Sequence, residues 1–149
     1  MIMDDNTFNN CKDSIDYLEE NVKNYYFRKR YQRYNPSPEA LDAFRKIDDR
    51  INVVVLASRT CPICIATVPM LIRLQLDVEN PNVYIRVAED DSISLPPSLS
   101  DKKSPFVIFY DNNFNELFRL EQKDIETNFE YLLTEELGKV SNGSRRTNI

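Results

Sequence analysis

The sequence predicts an α/β fold in three layers, with a mixed four-stranded sheet between helices and a helical extension in front of it. Three observations carry this. Val53-Val54-Val55-Leu56 is a continuous apolar run rich in β-branched residues, the composition of a central strand covered on both faces. The residues that follow, Cys61 to Asp77, repeat their apolar positions at helical intervals, and Val83, Ile85 and Val87 then alternate as a second strand. A strand, helix and strand in that order form a parallel, right-handed crossover. Two later strands, joined by the turn Asp111-Asn112-Asn113, pair antiparallel.

The elements follow in order. Phe8, Cys11, Ile15, Leu18, Val22 and Tyr25 fall at a 3-4-3-4-3 spacing, which predicts one amphipathic helix. It should stop near Tyr34–Asn35, because Pro36 disfavours the helical conformation in the residue before it. Ser37-Pro38 reads as a cap and first turn for a second helix through Leu41, Phe44 and Ile47. The core then runs from Ile51: strand, helix with Pro69 as its one internal breaker, and the strand Val83–Val87. A long loop from Glu89 to Ser104 follows, then the strand Pro105–Tyr110 and the strand around Leu117, Phe118 and Leu120. A last helix uses Ile125, Phe129, Leu132, Leu133 and Leu137, with Gly138 suited to its C-terminal cap. The expected organisation is a single domain over 1–149: an extension at 8–48, a core at 51–137, and a flexible basic tail at 138–149.

Composition excludes much. The chain has no histidine, so Ser-His-Asp and Cys-His catalysis and histidine-ligated metals are out. Its two glycines, Gly138 and Gly143, cannot build a phosphate-cradling loop. A net charge of −5 argues against a nucleic-acid partner. Lys23–Tyr34 holds five basic and five aromatic residues, but on a helix these read as a solvated face beside a buried stripe. No apolar run is long enough to span a membrane, and the polar, acidic opening residues do not resemble a secretory signal. With only three cysteines there is no disulfide framework, and a cytoplasmic location is expected. Cys11 falls on the apolar stripe and reads as a buried structural cysteine rather than a redox partner. The run Glu89-Asp90-Asp91 reads as an exposed acidic loop rather than a cation site.

The chemistry lies in Cys61-Pro62-Ile63-Cys64, where the first core strand gives way to its helix. Two thiols in this spacing at a helix start suit dithiol–disulfide exchange. The helix dipole and unpaired N–H groups favour thiolate at the first sulfur, with Arg59 two residues before it. The second thiol lies one turn in, placed to attack a mixed disulfide. Half of a zinc site is the alternative for this pair, but one further cysteine and no histidine cannot complete four ligands.

With Pro69 eight residues after Cys61 and Ser104-Pro105 opening the strand Phe106–Tyr110, the chain resembles the thioredoxin superfamily over roughly 51–137. The resemblance implies a thioredoxin-like fold, a kinking proline at Pro69 and a cis-proline at Pro105 packed against the cysteines. It implies a thiol–disulfide oxidoreductase with Cys61 attacking and Cys64 resolving. Thr60, Pro62, Ile63, Ser104 and Pro105 would form the substrate-binding groove, apolar with one free backbone edge. The partners implied are protein disulfide or dithiol substrates and a reductase or oxidant, with no cofactor and no metal. The chain departs from the family pattern at Thr60, where tryptophan is usual, and at Val55, where many thioredoxins carry a buried aspartate. It also lacks the Thr-Val-Pro and Gly-Gly of the glutaredoxin glutathione site. The competing reading is a redox-inactive interaction module that uses the same groove.

Overall fold

The computed structural model describes residues 3–90 and 95–141. In chain order the elements are α1 (Asp5–Asn10), β1 (Lys12–Asp13), α2 (Ser14–Asn21), α3 (Tyr25–Arg33) and α4 (Pro38–Arg45). The core follows as β2 (Ile51–Ala57), α5 (Pro62–Val78), β3 (Val83–Glu89), β4 (Phe106–Tyr110), β5 (Glu116–Leu120) and α6 (Gln122–Ser141). A 3-10 turn, Pro97–Leu99, lies in the loop before β4.

The four expected strands form the body of the sheet, and a fifth, β1, is added at its edge, giving the order β1-β3-β2-β4-β5. β2 runs parallel to β3, with Val55 opposite Val87, and antiparallel to β4, with Val55 opposite Val107. β4 and β5 form the expected hairpin. Its turn is held by Asp111 Oδ1, which accepts from the N–H groups of Asn113 and Asn115 at 2.8 and 2.9 Å. All residues of β2 and β4 are buried, which explains why their sequences are apolar at nearly every position rather than at alternate ones. Val53, Val55 and Ala57 face the main core with Leu71 and Leu133. Val54 and Leu56 face a smaller cluster beneath α1 and the 3-10 turn, with Met3, Phe8 and Leu99.

The N-terminal extension differs from the single long helix expected. Three short helices and β1 replace it, and side-chain caps explain the breaks. Asp4 accepts from Thr7 N at 2.8 Å, Asp13 from Ile15 N at 3.0 Å, and Asn24 from Tyr26 N and Phe27 N at 2.9 and 3.1 Å. Each cap starts a separate helix, so the stripe does not stay on one face. Phe8 and Cys11 enter the smaller cluster, Tyr17 and Phe27 enter the main core, and Tyr25 is left exposed. α4 forms as its Ser37-Pro38 start requires, with Ser37 Oγ accepting from Ala40 N at 3.1 Å. It ends at Arg45, and Ile47 is buried just beyond it.

α6 also departs from expectation. Gly138 lies inside the helix, not at its cap, because Leu137 and Val140 on either side of it are both buried and draw the helix onward. Asn128 breaks the same helix near its start, with extended backbone and its Oδ1 accepting from Tyr131 N at 3.2 Å. Of the expected flexible tail at 138–149, the first residues are thus helical through Ser141, and the rest lies outside the described residues.

Cys11 is buried against α1, its Sγ donating to Thr7 O at 3.6 Å. Burial pushes its thiol from 9.0 up to about 11, with Arg86 pulling the other way. The unfolded chain therefore releases this proton first. The stability that Cys11 contributes is whole below pH 9 and is lost as pH rises toward 11. Burial pushes the Cys64 thiol and the Tyr110 phenol up as well, the latter to about 12, so their contributions have the same sign. The urea midpoint should therefore fall measurably between roughly pH 9 and 11; an unchanged midpoint would contradict the burial of these groups.

Candidate active site

β2 ends at Ala57, and the chain turns through Ser58–Thr60 into α5. The Cys61 N–H donates to Ser58 O at 3.2 Å, and the Ser58 and Thr60 hydroxyls lie 3.1 Å apart. Pro62 occupies the first helical turn, where its missing N–H costs no hydrogen bond. Cys61 is the helix cap. Its Sγ accepts from the N–H of Cys64 at 3.2 Å, the bond that a serine or aspartate oxygen makes at other helix starts.

The two sulfurs differ in exposure. Cys61 is half-buried, whereas Cys64 is 1% exposed within the main core. Burial pushes the Cys64 thiol up first; its hydrogen bond with the Cys61 sulfur and the Asp90 carboxylate act in the same direction, against the Ser58 backbone. Cys64 therefore rests as a neutral thiol. Cys11 lies in the smaller cluster on the other face of the sheet, so the three free cysteines do not converge.

Across from Cys61, the Ser104–Pro105 peptide is cis, and Ser104 O lies 3.9 Å from Cys61 Sγ as its acceptor. Pro105 is buried and Ser104 half-buried. Thr60 and Pro62 are exposed, and Ile63 is half-buried beside a cleft lined by Ala66, Met70, Ile125 and Phe129. Pro69 sits inside α5 and is buried.

Two features of the site were not foreseen. Arg59 does not stand free beside Cys61. Its guanidinium binds Glu89 at 3.1 Å and Glu20 at 3.4 Å, and Lys12 binds the same two carboxylates at 2.9 and 2.6 Å. This cluster ties β1 and α2 of the extension to the loop before Cys61. The second feature is Asp90, just past β3, whose Oδ2 accepts from Ser104 Oγ at 3.2 Å while its N–H donates to Ala57 O at 3.0 Å. The run expected as an acidic loop is thereby divided: Glu89 closes β3, Asp90 is exposed beside the site, and Asp91 lies outside the described residues. None of these pairings is local in sequence, so nothing in the run itself pointed to them.

Mild alkylation of the reduced protein should label Cys61 first, with Cys64 and Cys11 reacting only on unfolding. Mass mapping checks this; preferential labelling of Cys64 would overturn the division between the sulfurs.

A thioredoxin fold with a cysteine pair at the start of α5 is thus on view, and the sequence agrees. The family model Thioredoxin_9, described as thioredoxin, matches residues 9–123, and the chain belongs to this thioredoxin family. The match begins in the extension, which is therefore part of the family's own pattern.

Among solved structures, an HIV epitope-scaffold is similar at 18% identity and TM-score 0.65, over 92% of this chain and 94% of that one. A protein of unknown function from Pseudomonas aeruginosa, PA1234, is similar at 18% identity and TM-score 0.62, over 95% of this chain and 96% of its own. At these identities the likeness is one of fold. No curated protein matches the sequence significantly. Among the described residues, no helix is long and apolar enough to cross a membrane.

Proposed function

We propose that the protein is a thiol–disulfide oxidoreductase that exchanges its Cys61–Cys64 dithiol or disulfide with protein substrates. The observation that carries this reading is the arrangement of the two sulfurs: a half-buried cap sulfur, a buried thiol one turn behind it, and Ser104 O at 3.9 Å. In the reducing direction, Cys61 thiolate attacks a substrate disulfide and forms a mixed disulfide, releasing the other substrate sulfur. Cys64 then attacks Cys61 Sγ, closes the Cys61–Cys64 bond and releases the second substrate sulfur. The half-buried Ser104 and buried Pro105 give an extended substrate segment a backbone edge, and Thr60, Pro62 and Ile63 form the opposite rim. The chemistry resides in the two sulfurs and needs no cofactor. A separate reductase or oxidant resets the pair, in a reducing, cytoplasmic setting.

The test is dithiothreitol-driven reduction of insulin. The wild-type protein should accelerate it, and Cys61→Ser should return the rate to background. A wild-type rate equal to background would favour an interaction module instead.

A further inference from the structure

The resolving step requires a proton transfer. Cys64 is buried and neutral, and it must lose its proton to attack. Val55, on β2 in the same main core as Cys64, is fully buried and has no carboxylate to offer, nor do its neighbours across the sheet, Val87 and Val107. We propose that Asp90 is the proton acceptor for Cys64 in this step; the proposal rests on the oxidoreductase reading above.

Position supports the assignment. Asp90 directly follows Glu89, the partner of Ala57 in the β2–β3 register, and its N–H is bound to Ala57 O. Its backbone is therefore fixed against the end of the strand that leads to the cysteines. Its carboxylate is held by the hydroxyl of Ser104, the residue whose carbonyl lies 3.9 Å from Cys61 Sγ. Asp90 is exposed, so its carboxylate can pass a proton on to water, and its negative charge is among the influences that push the Cys64 thiol up.

The other ionisable groups around Cys64 do not suit the task. From α5 there is Cys61, which is bonded to substrate at this stage. From α2 there is Tyr17, buried and pushed up by that burial, hence a neutral phenol that cannot serve as a base. Beyond Tyr17 stand Glu89 and Glu20, each bound by both Lys12 and Arg59. From α3, Arg30 is turned to Ala66 O and Met70 Sδ.

The Cys64 proton moves to the Asp90 carboxylate, which passes it on to solvent from its own exposed side. The sulfur electron pair forms the Cys64–Cys61 bond, and the Cys61–substrate S–S bond breaks with its pair on the substrate sulfur. That thiolate takes up a proton from Asp90 or from water. The protein dithiol is oxidised and the substrate disulfide reduced by two electrons. Asp90 disfavours thiolate at Cys64 while it is itself charged, and loses that charge in accepting the proton, so one negative charge passes between the two groups.

The two roles open to Asp90 have opposite signs, which makes a test decisive. If it were only a like charge, Asp90→Asn would make Cys64 more acidic and speed its attack. If it accepts the proton, the same change slows the attack, while the amide oxygen of the new side chain can still accept from Ser104. Cys61 is loaded with one equivalent of Ellman's reagent, and release of thionitrobenzoate by Cys64 is followed by its visible absorbance across pH. We expect release in Asp90→Asn to be about tenfold slower or more at neutral pH, to rise with hydroxide, and to recover in part in Asp90→Glu. Loading of Cys61 is driven to completion before release is followed, so a change in its rate does not enter the comparison. Release that is unchanged or faster in Asp90→Asn overturns the proposal. If the wild-type protein releases nothing, the oxidoreductase reading itself fails.

Discussion

Cys64→Ser should convert a protein that turns over into one that remains joined to its substrates through Cys61. Attack by Cys61 does not need the second thiol, but closing the ring does, and a serine hydroxyl cannot displace the substrate sulfur. The geometry favours a clean separation of the two steps. Cys61 is half-buried at the helix cap, while Cys64 lies behind it at 1% exposure. The cap bond from residue 64 is made by its backbone N–H and survives the substitution. From cell extract, the variant should hold protein adducts that dithiothreitol releases, and Cys61→Ser in the same background should hold none. A partner set that is the same in wild-type and variant, and is released without reductant, would identify an interaction module.

Phe44→Ala should be the most damaging of the single core truncations in the extension. Phe44 lies on α4 and is 1% exposed in the main core, where α4 packs against α5 and α6. Asn80, two residues past the end of α5, ties its Nδ2 to Phe44 O and Ile47 O at 2.8 and 2.9 Å, so the surrounding backbone cannot readily collapse into the space. Removing a buried phenylalanine costs about 3–5 kcal/mol, which in a chain of this size lowers the melting temperature by roughly 10 °C. Thermal unfolding followed by circular dichroism measures it. A single transition shifted as a whole would support extension and core folding as one domain. An early transition covering only part of the signal would show that residues 8–48 fold apart from the core.

The core was legible in the sequence because its elements differ in period. Val53–Leu56 is apolar at every position, Val83–Val87 alternates, and α5 repeats at helical intervals. The cysteine pair was legible for a related reason: its chemistry needs two residues at fixed spacing on a helix start, and both are local in sequence. The extension was less so. A 3-4-3-4-3 stripe from Phe8 to Tyr25 reads as one helix unless Asp13 and Asn24 are recognised as caps, and each of these residues caps by bonding only two or three positions ahead. β1 has only two residues and no pattern of its own; it exists because β3 presents an edge. Gly138 shows the reverse error, a residue suited to a cap being overridden by the burial of Leu137 and Val140. Asp90 was least legible of all. Its link to Ser104 spans the whole loop between β3 and β4, and only the sheet register brings the two together.

Thiol–disulfide exchange requires that Cys61 and Cys64 form a reversible two-electron couple. Equilibration of the protein over a series of dithiothreitol or glutathione potentials, followed by acid quench, alkylation and mass mapping, tests it most directly. A single Cys61–Cys64 disulfide should appear with a two-electron midpoint within the range of the family, between roughly −270 and −120 mV, with Cys11 remaining a thiol throughout. Failure of Cys61 and Cys64 to pair at any poise, or pairing of either with Cys11 instead, would mean that the protein is not a dithiol oxidoreductase of this pair.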